Sequence, residues 1–193
     1  MAGTNSNVAV KAMTGIFLDY IVNANGITSE SSYKYALSKL EGLVYTLSDV
    51  TIFASMISGK DFTDEANYWT SGIFVSAAVN RIVKENETVT LDFANLDVPA
   101  DCIGFRLKHG KILVPRNAGD YLGEHMSGGE IVVQGNAGYY VGYAMSGGNI
   151  TVHGNAGGHL GRYMSAGVIQ IEGQIGSIAR PYRGKIYHKG ILQ

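Results

Sequence analysis

Ala144-Met145-Ser146-Gly147-Gly148, with His125 and His159 to either side in the chain, holds the side chains needed for acyl transfer. A serine hydroxyl becomes a nucleophile when an imidazole takes its proton and a third group orients that imidazole, and Asp120 could orient a base here. The pattern is one residue off the Gly-x-Ser-x-Gly elbow, which carries meaning only at a strand-to-helix turn of an α/β sheet. The serine also recurs, as Ser127, Ser146 and Ser165, at one position of a repeating unit, as a turn residue does. A small esterase using Ser146, His125 and His159 is therefore an alternative reading.

Other chemistries find less support. Zinc needs three or four convergent ligands, and His109, His125, His153 and His159 occupy different positions of the repeat, with His188 in the last partial unit. Calcium-binding glycine-rich repeats need a recurrent aspartate, and Asp120 is followed one unit on by Tyr139 and then Gly158. The glycine-rich segments lack a Gly-Lys-Ser/Thr ending and a dinucleotide fingerprint. No metal or cofactor is expected. The single cysteine, Cys102, excludes a disulfide framework, a thiolate zinc site and an iron–sulfur cluster within the chain. A net charge of −1, from 15 basic and 16 acidic residues, argues against a nucleic-acid surface. Arg162, Arg180 and Arg183 read as solvated edge charge. The opening MAGTNSNVAV lacks the pattern of a secretory leader, and no apolar run reaches the ~18 residues that span a bilayer. The expectation is a cytoplasmic protein with no membrane contact.

The element that must position any such group is a repeat of 19 residues, running without gaps through 102–120, 121–139, 140–158 and 159–177. A fixed period of this kind means stacked structural units. Ile112, Ile131, Ile150 and Ile169 form one column; Val114, Val133, Val152 and Ile171 form another two residues on. They alternate with Leu113, Val132, Thr151 and Gln170, so each unit has a short strand with one inward face. Ile103/Leu122/Val141/Leu160, Leu107/Met126/Met145/Met164 and Ala118/Ala137/Ala156 add further apolar columns. Glycines fill the corners: Gly104, Gly123, Gly142 and Gly161; Gly110, Gly129, Gly148 and Gly167; and Gly119, Gly138, Gly157 and Gly176. Nineteen residues are too few for a propeller blade of about 40–45, and the leucine-rich consensus is missing. The fold class is therefore mainly β: a parallel β-helix of ~19-residue turns over 87–193, preceded by an α-helical segment over 1–86. The column Asn117/Asn136/Asn155, continued by Gln174, fits either a stacked amide ladder or turn-forming residues without a ladder.

Residues 1–86 divide into three expected helices. The first spans about Asn7 to Val22 and stops at Asn25-Gly26. The second follows Ser29–Ser32, carries Tyr35, Ala36, Leu40, Leu43 and Val44, and could reach Ile57, with Thr46, Thr51 and Ile52 weakening its far part before Ser58-Gly59. The third starts at Asp61 or Thr63, with Asp64 and Glu65 suiting its N-terminus, and runs through Trp69 to about Lys84. Its apolar 73–83 segment should be buried. These helices could cap the open end of the β-helix or serve in oligomerisation.

The phrase Gly-x-x-Met-Ser-Gly-Gly-x-Ile-x-Val-x-Gly-Asn-Ala-Gly, at Gly123–Gly138 and Gly142–Gly157, resembles the GXGXG repeat domain. That domain closes the large subunit of glutamate synthase and forms one of the subunits of formylmethanofuran dehydrogenase. The resemblance spans about residues 89–177 and implies a right-handed β-helix. It implies a structural part of oxidoreductase and amidotransferase complexes, without catalytic residues of its own. The expected function is thus a non-catalytic scaffold or assembly subunit with protein partners or as a homo-oligomer; the alternative is a subunit of a split glutamate synthase whose site forms with partner chains. Tyr121, Tyr140 and His159 share a column beside Tyr139, and Tyr143 and Tyr163 occupy a variable corner, with Tyr182 and Tyr187 continuing the theme. Rows of tyrosine suit a protein interface, or else plug the space between corners.

Overall fold

The computed structural model describes residues 3–24, 28–57, 66–179 and 183–193. Four helices come first: α1 (Gly3–Asn23), α2 (Ser29–Lys39), α3 (Leu47–Met56) and α4 (Ala66–Ile82). The expected helix signals at Asn25-Gly26, at Ser58-Gly59 and at Asp61–Glu65 lie outside the described residues, as does the Trp69 side chain.

The second expected helix is two helices. It breaks at Gly42, where φ is +77°, and Thr46 then caps α3 in a reciprocal box. The Thr46 hydroxyl accepts from the Asp49 N–H (3.2 Å), and the Thr46 N–H donates to the Asp49 carboxylate (2.8 Å). Thr46 is thus a start signal, not an awkward β-branched residue inside a helix. Val44, expected on the apolar stripe, lies in the connection and is 88% exposed. Within α4 and just after it, Ile73, Phe74, Val75, Ala77, Ala78, Val79 and Val83 are buried as expected, and Arg81 reaches solvent.

From Thr88 the chain winds into a parallel β-solenoid. Its strands are β1 (Thr88–Thr90), β2 (Lys111–Val114), β3 (Ser127–Val133), β4 (Ser146–Val152), β5 (Ala166–Ile171) and β6 (Lys185–His188), each pairing in parallel with the next. A final strand, β7 (Ile191–Leu192), folds back antiparallel on β6. Ile112, Ile131, Ile150 and Ile169 are in register, with Val89 extending the column at one end and Ile186 at the other. All six are at most 1% exposed, so one apolar axis runs the length of the solenoid. The columns of Ile103, of Leu107 and of Ala118 are buried as well.

Corner glycines serve two purposes. Gly148 has φ +88°, a conformation that a β-carbon disfavours. Gly138 has ordinary φ, and its need is space: a β-carbon there would lie 2.8 Å from the Gly119 carbonyl carbon of the turn below. The asparagines form a ladder, of side chain to backbone. Asn117 Oδ1 accepts from Asn136 N (2.8 Å), Asn136 Oδ1 from Asn155 N (2.7 Å) and Asn155 Oδ1 from Gln174 N (2.7 Å).

Helix α4 closes the first turn of the solenoid. The Ser76 hydroxyl accepts from Gly104 N (2.9 Å) and donates to the Cys102 carbonyl (3.2 Å), and Asn80 Nδ2 donates to the Phe105 carbonyl (2.9 Å). Gly72 permits this approach, since a β-carbon there would overlap the Asp101 carbonyl oxygen. Backbone groups on the open side of the first turn, at 102–105, therefore meet helix side chains. One continuous apolar core joins helices and solenoid. No helix among the described residues is long and apolar enough to cross a membrane.

Candidate functional site

The variable corner of each turn carries the aromatic residues, and the solenoid stacks them. Tyr121 and Tyr140 lie with centroids 4.8 Å apart and planes within 9°; Tyr140 and His159 repeat this at 4.9 Å and 12°. The spacing is that of adjacent strands, so the stack is a product of register. Tyr121, Tyr140 and His159 all have φ near +60°, a left-handed conformation that is uncommon for such residues and aims the three rings alike. Tyr143 stands edge-on to this row, 5.8 Å from Tyr121 and 6.2 Å from Tyr140. It also meets His125 at 6.2 Å and Tyr163 at 5.4 Å, both at nearly right angles. The Arg162 guanidinium lies 5.0 Å from the Tyr163 ring centroid and donates to its hydroxyl (3.2 Å).

Of the expected interface tyrosines, Tyr121, Tyr140, Tyr143 and Tyr163 thus form one surface. Burial, then the neighbouring Tyr140, pushes the Tyr121 phenol up. Tyr139 is 55% exposed and outside these ring contacts; its N–H donates to Asp120 Oδ1 (2.8 Å). Tyr187 lies on β6 opposite Gln170, and Tyr182 and Arg180 are outside the described residues.

At its lower end the surface passes into a polar cluster around the buried Glu124. Glu124 is 6% exposed, accepts from the Ser29 hydroxyl of α2 (3.2 Å) and takes the Cys102 thiol on its other oxygen (3.8 Å). Burial holds its carboxyl above the usual range, against the pull of these hydrogen bonds. Arg106 pairs with Glu30 of α2 at 2.7 Å. His125 sits beside Glu124, and burial, then Arg106, lowers its basicity. Part of this cluster had a signal in the sequence: the columns Phe105/Glu124/Tyr143/Arg162 and Arg106/His125/Ala144/Tyr163 both vary directly after the strict column Gly104/Gly123/Gly142/Gly161.

The acyl-transfer residues do not converge. Ser146 opens β4, its N–H donating to the Met126 carbonyl (2.8 Å), and no strand-to-helix turn is there. Among the described residues, no hydrogen bond joins Ser146 to His125 or His159, and His159 is spent in the ring stack. His153 pairs with Glu172 one turn on (2.8 Å), and His188 contacts the Gly173 carbonyl (2.9 Å). Asp120 has an acidic counterpart one turn back, Asp101, whose Oδ1 accepts from the Asp120 N–H (2.7 Å). Both carboxylates line an open groove with Asn117 and Asn136. No group of three or more histidine, cysteine, aspartate or glutamate side chains is disposed to hold a metal ion among the described residues. No family model, no curated protein and no solved structure matches the chain.

Proposed function

We propose that this chain is a non-catalytic β-solenoid scaffold, an assembly subunit that docks a protein partner along its aromatic face. The observation that carries the reading is the Tyr121–Tyr140–His159 stack with Tyr143 and Tyr163 standing against it. Rings already ordered by one another lose little freedom on docking, and tyrosine offers both apolar area and a hydroxyl. A cytoplasmic setting is part of the same proposal. The glycine-rich repeat favours a second reading, a subunit of an oxidoreductase or amidotransferase complex related to glutamate synthase, in which the site forms with partner chains.

Native purification of the tagged full chain tests the proposal. The scaffold reading expects a defined protein partner in fixed ratio, with recovery falling at least about tenfold in a Tyr143→Ser/Tyr163→Ser variant that keeps its melting temperature. Equal recovery from wild type and variant contradicts docking on this face. Turnover of a p-nitrophenyl ester by the pure chain, abolished in Ser146→Ala, contradicts the non-catalytic reading.

A further inference from the structure

Helix α1 carries a second surface, on the side away from the core. Val8, Lys11, Gly15, Leu18 and Val22 are all exposed along it, at spacings of three and four residues that form one stripe. Val8 is 68%, Leu18 45% and Val22 76% exposed. Leu18 also lines a small apolar groove with Met56, which is itself 55% exposed. Apolar residues grouped this way on one face call for a partner.

Gly15 is the informative member. Glycine inside a helix is less stable than alanine, so it needs a reason. Gly72 in α4 has one, the close approach of the Asp101 carbonyl. Gly15 has none among the described residues, since a β-carbon there would meet nothing of theirs within 4 Å. The open space in front of it suits a second helix crossing at that point.

The geometry points to a second copy of this chain as the occupant, with α1 packed antiparallel on its own copy about a two-fold axis at Gly15. The stripe is self-complementary about that residue. A two-fold at Gly15 sets Val8 level with Val22 of the other copy, Ala12 with Leu18, and Lys11 with Asp19. Each layer is chemically matched: apolar on apolar, small on large, cation on anion. Lys11 has no ion-pair partner among the described residues, whereas Asp19 already holds Lys39 at 2.7 Å and would bridge the two cations. The inference does not rest on the aromatic face, which belongs to different elements.

Light scattering and cross-linking of the full chain test it. Light scattering should give a dimer. Lys11→Glu should weaken the dimer at least about tenfold by setting like charges together, and Lys11→Met should not. Gly15→Cys should oxidise to a covalent dimer with itself. Val8→Cys should link to Val22→Cys in a mixed sample and not to itself, because its two copies stand about 21 Å apart along the helices. Cys102 is buried and does not compete. A monomeric wild type, a dimer indifferent to Lys11→Glu, or self-linking of Val8→Cys would each overturn the arrangement. Loss of the dimer without effect on partner recovery separates this surface from the aromatic one.

Discussion

Two residues show how the solenoid constrains single side chains. Gly148 combines φ +88° with a carbonyl of the turn below, 2.8 Å from where a β-carbon would sit. Gly148→Val therefore meets both backbone strain and overlap, and should cost about 3 kcal/mol or more, read as a large fall in melting temperature. Asp101 is governed by burial, reinforced by Asp120, which pushes its carboxyl from 3.8 up to about 6 despite the hydrogen bond from the Asp120 N–H. A carboxyl raised in the folded state favours the protonated form there. Its stabilising contribution is full below pH 3.8 and is lost as pH rises through about 6. Asp101→Asn keeps the acceptor oxygen and should flatten this part of the stability–pH profile; an unchanged profile would contradict the assignment. Glycine corners were legible in the sequence because glycine advertises its conformation. The left-handed Tyr121, Tyr140 and His159 were not, since these residue types carry no such signature and adopt it only because the rungs around them impose it.

At the scale of elements, α4 is the piece that makes the solenoid's first turn tolerable in water. Ser76 and Asn80 satisfy backbone groups at 102–105 that would otherwise form an open edge. A chain beginning at Glu87 loses these partners together with the apolar cover of α4. It should associate or precipitate, as gel filtration would show; a monodisperse monomer would contradict the capping role. The strands were legible because their period is strict and their inward residues are β-branched. The break between α2 and α3 was not, because Leu40, Leu43 and Val44 continue a helical stripe on paper. What ended the helix was Gly42 together with the Thr46–Asp49 box, a local hydrogen-bonding preference that periodicity does not register. The aromatic residues were visible as a column, but their edge-on and stacked geometry, and the inclusion of His125 and Arg162, required the turns to be wound.

For the whole molecule, the consequence of stacking is shared fate. Each turn buries its aliphatic side chains only against its neighbours, so a defect at one level spreads to the next. Ile150→Asp sets a carboxylate midway along the apolar axis, between Ile131 and Ile169, with no partner. It should cost more than about 4 kcal/mol and remove cooperative melting of the strands on both sides. A local loss that leaves the rest of the melt intact would contradict a continuous core. The scaffold reading rests on this rigidity, because the rows of rings keep their spacing only while the rungs keep theirs. Proton contacts between rungs give the most direct test of that register in a 20.6 kDa chain. Nuclear Overhauser spectra should link amide and α protons of Ile112 to Ile131, of Ile131 to Ile150 and of Ile150 to Ile169, one turn apart at every step. Strong α-to-α contacts between neighbouring strands among β1–β6, the mark of antiparallel hairpins, would contradict the account; only β7, which folds back on β6, should show them.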